Sequence, residues 1–170
     1  MTLISNLVDE LDRETKRSRR TLEHVPDRQR SWKPHDRSMA LGPLADMVAM
    51  IPMWLSMILD KDELDIAPKD GAGMKMPQPD TSAEYLDVLD TCAARARQQL
   101  AATTEAHLAT RWKLLAGGKV VQEATRLEMI TDQINHWAHH RGQMTVYLRL
   151  LGATVPALYG PSADDTRFEL

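Results

Sequence analysis

The 170-residue chain has one cysteine, Cys92, and one phenylalanine, and aromatics of all kinds make up 5% of it. A lone cysteine cannot close an intrachain disulfide, so nothing in the sequence demands an oxidising compartment. No run of about 18 uninterrupted apolar residues is evident, which argues against a membrane span. The start of the chain has acids soon after it and no apolar core of the signal-peptide kind. A strong charge of either sign is also missing: 21 basic and 24 acidic residues leave a formal net charge of -3. That balance lacks the basic footprint of a dedicated nucleic-acid binder. A cytoplasmic protein with neither nucleic acid nor membrane as partner is the expectation.

Leu, Ala and Met dominate the apolar residues, and these are helix formers. Periodicity predicts a first helix from about Thr2 to His24, with Leu3, Leu7, Leu11 and Leu22 recurring near helical spacing. Lys16, Arg17, Arg19 and Arg20 towards its end read as a solvated face that complements the helix dipole, or as an anion patch. Pro26 and Pro34 mark a loop over 25–37. Ser38 is a candidate N-cap for a second helix over Met39–Asp60, which Pro52 should kink or divide. Residues 61–80, with Pro68, Gly71, Gly73, Pro77 and Pro79, read as a connecting segment.

Thr81-Ser82-Ala83-Glu84 fits a capping box and opens a third helix expected to run to about His107, where His107 would meet the last carbonyls. Cys92 should lie inward on it as a small, inert residue. Around Ala116-Gly117-Gly118 the pattern is a short hairpin or an irregular loop. Thr125-Arg126-Leu127-Glu128 is a second capping box. It opens the longest helical pattern, which reaches Leu151 and ends at Gly152. Four long helical patterns predict an all-α, four-helix-bundle domain spanning 1–170, with the short irregular or hairpin segment before the last helix and an extended tail over 153–170 packing on it.

The last helix carries the candidate chemistry. Beside its apolar seam of Leu127, Ile130, Ile134, Trp137, Met144, Leu148 and Leu151 runs a polar stripe: His136, His140, Gln143 and Tyr147. Histidines at i and i+4 present two imidazoles from one face, a workable pair of ligands for one divalent metal. They serve equally as hydrogen-bonded core residues. Trp137 occupies the position where a zinc-protease helix has its glutamate, so that chemistry is excluded. Gln143 and Tyr147 are candidates to line a pocket. Arg141 falls near the seam, where it would pair with a buried carboxylate or reach an interface.

The run Asn135-His136-Trp137-Ala138-His139-His140-Arg141-Gly142-Gln143 resembles the DinB / YfiT-like family. The resemblance continues through Tyr147–Gly152 and into the tail at Val155-Pro156-Ala157-Leu158-Tyr159-Gly160, and upstream through Met39–Ala49. It implies a four-helix bundle, often a homodimer, holding a divalent metal such as zinc or nickel by three histidines. Two of them match His136 and His140. The third family position is occupied by Met47, so this chain departs from the pattern. Four resolutions are open: a metal-free site, a contribution from Asp132, one from Asp46 or Glu128, or ligation by Met47 itself, which would favour Cu(I). Asp132 with both histidines would span about 12 Å along a straight helix, too long for one ion. The resulting expectation is a metal-dependent enzyme with an altered site and an unassigned substrate. The alternatives are a metal-free bundle that binds a small molecule or serves a stress response, and a dimeric interaction module without catalysis.

Overall fold

A computed structural model of the chain describes residues 2–69, 71 and 76–168. Gly73 of the expected connecting segment and the last two residues of the tail lie outside them. The element order is α1 (Leu3–Leu22), α2 (Leu41–Asp60), β1 (Glu63–Asp65), α3 (Ser82–Ala102), α4 (Glu105–Leu108), β2 (Arg111–Ala116), β3 (Lys119–Thr125) and α5 (Arg126–Leu150). The four long helices meet so that α1 and α2 each pack on both α3 and α5. Their core is largely Leu, Ile, Ala and Met, with Trp112 and Trp137 fully buried.

The fold is mostly helical, but the expectation of an all-α chain needs correction. A three-stranded sheet runs β1-β2-β3, with β1 parallel and β3 antiparallel to β2. The segment before α5 is therefore a hairpin. Its turn places Gly117 and Gly118 at φ 63° and 78°, which glycine adopts without the steric cost of a Cβ. The Asp65 carboxylate accepts from both glycine amides, at 3.0 and 2.7 Å, and so pins the turn to β1. These bonds, with the amide of Ala67 foremost, hold Asp65 below the usual carboxylate range.

Both predicted capping boxes form. Thr81 with Glu84 opens α3, and Thr125 with Glu128 opens α5. At the other end of α5, the amide of Ala153 reaches the Leu148 carbonyl and that of Gly152 reaches Arg149, a Schellman pair closed by Gly152 at φ 71°. Other boundaries differ from expectation. Ala40, not Ser38, is the N-cap of α2. α3 stops at Ala102, because Thr104 turns its hydroxyl to the amide of His107 and starts the separate short α4. His107 then meets the carbonyl of Leu59 in the last turn of α2, at 2.9 Å, rather than the end of its own helix. Cys92 is only partly buried.

α2 is also long and apolar enough to cross a membrane by length and composition. Asp46 is its only charge before Asp60, and 72% of the relevant window is buried within the protein, as in a core helix.

Pro52 neither divides α2 nor leaves it broken: the helix is continuous through it. Proline lacks the amide proton that would bond the carbonyl four residues earlier, so the Val48 carbonyl loses its helical partner. The indole Nε1 of Trp137 donates to that carbonyl at 2.7 Å. Both residues are buried, so α5 supplies the bond that the proline withholds.

Two buried arginines fasten the frame. Arg126 spans α5, β2 and the end of α2 through the carbonyls of Arg111 and Lys61, Thr110 Oγ1 and Asp62. Arg141, fully buried, is paired with the buried carboxylate of Glu14 on α1 and also donates to Ser18 Oγ at 2.8 Å. Arg17 shares the same carboxylate, and its Nε donates to the Leu158 carbonyl at 3.2 Å. Tyr159 closes the cluster, its hydroxyl donating to Glu14 at 2.9 Å and its ring lying 4.2 Å from the Arg17 guanidinium. Part of the basic stretch on α1 is thus neither a solvated face nor an anion patch. Arg17 clasps the tail, and Arg19 pairs with Asp90 on α3.

Candidate metal centre

His136 and His140 stand one turn apart on α5, and the Trp137–Val48 bond fixes the height of that turn against α2. Their Nε2 atoms are 2.6 Å apart, with ring centroids separated by 4.3 Å. His140 is buried and His136 half-buried. Each ring has its other nitrogen engaged by a glutamine oxygen one turn away. His140 Nδ1 lies 2.9 Å from Gln143 Oε1, and His136 Nδ1 lies 3.5 Å from Gln133 Oε1. His139 lies edge-on to His140 at 5.2 Å, with its own side exposed to solvent. Burial first, and then the neighbouring His140 and His139, push the pKa of His136 down.

The histidine pair named from the sequence is therefore brought together, and Gln143 orients His140. Tyr147 takes a structural role: its hydroxyl donates to the Met39 carbonyl at 2.9 Å and its ring meets Trp32 edge-on at 5.6 Å. Gln133 carries no mark in the stripe reading, although its position three residues before His136 is the signal that would have found it.

The carboxylates considered as further ligands are employed elsewhere. Asp46 makes a two-pronged pair with Arg30 at 2.7 and 3.0 Å. Arg30 also donates to the Pro79 carbonyl and to the Tyr85 hydroxyl, and burial together with Asp46 pushes Tyr85 up to about 12. Glu128 is spent on the α5 capping box. Asp132 is exposed and accepts from Gln122 at 3.4 Å. Among the described residues, no group of three or more His, Cys, Asp or Glu is placed to hold a metal ion.

Met47, one residue before Val48, is half-buried and borders a cleft of about 610 Å³ between α2 and the β1 segment. Met53, Trp54, Leu64, Ile66 and Met76 make its apolar walls, with Lys61 and Asp65 as its charged residues. Thioethers adapt to irregular apolar shapes, and the volume is in the usual range for small-molecule sites.

A model of the DinB family matches residues 2–167. The chain belongs to the DinB family. A DinB-like protein from Bacillus cereus has a solved structure similar to this DinB protein, with a TM-score of 0.69 and 25% identity, covering 91% of this chain and 97% of that one. A DinB-like protein from Bacillus subtilis shares the fold at 15% identity and a TM-score of 0.66, covering 88% of this chain and 93% of its own. The uncharacterized protein YrdA of Bacillus subtilis is 56% identical over 32 residues. That match spans only 19% of YrdA and 19% of this chain.

The chemistry of the donor set meets a metal in part. An imidazole binds zinc at about 2.0–2.1 Å, so two on one tetrahedral ion stand about 3.3 Å apart. Opening the pair by less than about 1 Å therefore admits an ion. The pair fits a metal as a two-nitrogen set, but with methionine at 47 it does not reproduce three histidines.

Proposed function

We propose that this DinB protein is a four-helix bundle with an altered divalent-metal site, and that His136 and His140 are its protein ligands in metal-dependent chemistry on a small molecule. The observation that carries this reading is the convergence of two Nε2 atoms whose partner nitrogens are each engaged by a glutamine oxygen. Zinc and nickel suit imidazole donors. Such an ion, when bound, lowers the pKa of a coordinated water or thiol and supplies a nucleophile near neutral pH.

The chain's own residues have distinct parts in this reading. His136 and His140 bind the ion. The Trp137–Val48 bond fixes the height of α5 against α2 and so holds the turn that carries the pair. The methionine-rich cleft bordered by Met47 receives the apolar part of the small molecule. With fewer than the three protein ligands of ordinary catalytic zinc, more of the coordination shell is left for water or substrate. A homodimer in the cytoplasm belongs to the same reading.

A second reading has its own support. Among the described residues no third His, Cys, Asp or Glu is placed to hold an ion with the pair, which favours a metal-free bundle that binds its small molecule in the cleft alone. The test is the metal content of untagged protein purified without chelator, beside a His136→Ala/His140→Ala variant. About one zinc or nickel per chain in the wild type and none in the variant is the expected result. No metal in either protein after incubation with excess ions overturns the metal reading and leaves the metal-free one.

A further inference from the structure

The glutamines beside the histidine pair have a consequence for where its protons sit. A neutral imidazole carries one N–H and one lone pair, and the partner of one nitrogen decides which is which. Gln143 offers its carbonyl oxygen, an acceptor only, to His140 Nδ1 at 2.9 Å. The proton of His140 must then lie on Nδ1, and its Nε2 must carry a lone pair. Gln133 offers the same kind of atom to His136 Nδ1 at a longer 3.5 Å. Without an ion, His136 carries its proton on Nε2 and donates to the His140 Nε2 lone pair across 2.6 Å, and it is that lone pair of His140 that a cation would take instead.

We propose that Gln143 is a positioning residue. By accepting the Nδ1 proton of His140 it holds that imidazole in the tautomer whose Nε2 receives a cation, while Gln133 stands 3.5 Å from His136 Nδ1, placed to accept its proton once an ion takes the Nε2 position. This rests on the metal reading for its purpose, but not for its test. Gln143 is exposed, its amide has rotamer freedom in the unfolded chain, and among the described residues the bond to His140 is what orients it. If the amide faced the other way, its NH2 would donate to Nδ1 and the His140 proton would move to Nε2. The Nε2–H···Nε2 bond would then run from His140 to His136, with no lone pair left for an ion at His140.

The experiment uses the full chain with nitrogen-15-labelled histidine, stripped of metal by chelator, at about pH 8.5, where imidazoles are neutral. Long-range proton–nitrogen spectra report which ring nitrogen of His140 carries the proton. The expected result is an Nδ1–H His140 in the wild type, conversion towards Nε2–H in Gln143→Leu, and retention of Nδ1–H in Gln143→Glu. Circular dichroism of each variant establishes that the fold is kept. Zinc titration of the same samples should show affinity falling about 10–100-fold in Gln143→Leu and recovering in Gln143→Glu. An Nε2–H His140 in the wild type, or an unchanged tautomer in Gln143→Leu, overturns the proposal. If the tautomer responds as expected and no protein binds zinc, the positioning role of Gln143 stands and the metal reading fails.

Discussion

The bond from Trp137 to Val48 exists because Pro52 cannot make it, and that dependence is measurable. Replacing Trp137 by Phe removes the indole N–H that reaches the Val48 carbonyl at 2.7 Å in a fully buried setting. The stranded carbonyl should cost about 1–3 kcal/mol. The smaller ring adds a packing loss, so that about 2–4 kcal/mol in total is expected. In a Pro52→Ala background, residue 52 regains an amide proton and the helix itself can bond Val48. The same Trp137→Phe change should then cost less by about 1 kcal/mol, since only the packing loss remains in full. Urea denaturation of the wild type, both single variants and the double variant gives the coupling directly. Equal costs of Trp137→Phe in the two backgrounds would refute the argument that the proline recruits the tryptophan.

Four further outcomes follow from particular contacts. Glu14→Gln leaves the buried guanidiniums of Arg141 and Arg17 without their shared carboxylate, and should cost about 3–5 kcal/mol in denaturant unfolding. A loss below about 1 kcal/mol would contradict the pairing, being no more than an exposed ion pair is worth. Gly42→Ala places a Cβ 2.8 Å from Cβ and 2.9 Å from Cγ of Arg30, so the Arg30–Asp46 pair must shift, with a lowered melting temperature as the readout. The depressed pKa of His136 means that the folded state favours the neutral ring. Its stabilising effect is full above the ordinary imidazole range and erodes as pH falls below about 6.5, which urea midpoints of chelator-treated protein should follow and a His136→Asn variant should not. The capping and turn carboxylates Glu84, Glu128 and Asp65 are likewise held low, so a second loss of stability should begin as pH falls below about 4.

What could be read from the sequence was local. The Thr81–Glu84 and Thr125–Glu128 boxes need only a hydroxyl and a carboxylate three residues apart, and both form. The i, i+4 histidines meet because helix geometry alone brings them together. β1 was not legible, since three residues have no period of their own and become a strand only by pairing with β2 and holding the distant glycine turn through Asp65. The end of α3 was missed because Thr103 and Thr104 interrupt an otherwise continuous helical pattern, and the Thr104 cap decides the break. That Pro52 leaves α2 undivided was not legible, because the donor that satisfies the freed Val48 carbonyl lies on another helix. Asp46 looked free as a ligand until Arg30, from the loop before α2, was seen to claim both its oxygens.

The central claim is that the pair on α5 receives a cation between its two Nε2 atoms. A crystal of the full chain grown with zinc, with anomalous difference density collected at the zinc edge, tests it most directly. The account predicts one peak about 2.0–2.1 Å from Nε2 of both His136 and His140, with Gln143 still bonded to His140 Nδ1. Histidines left hydrogen-bonded to each other with no peak between them, or zinc bound only at sites away from α5, would contradict it.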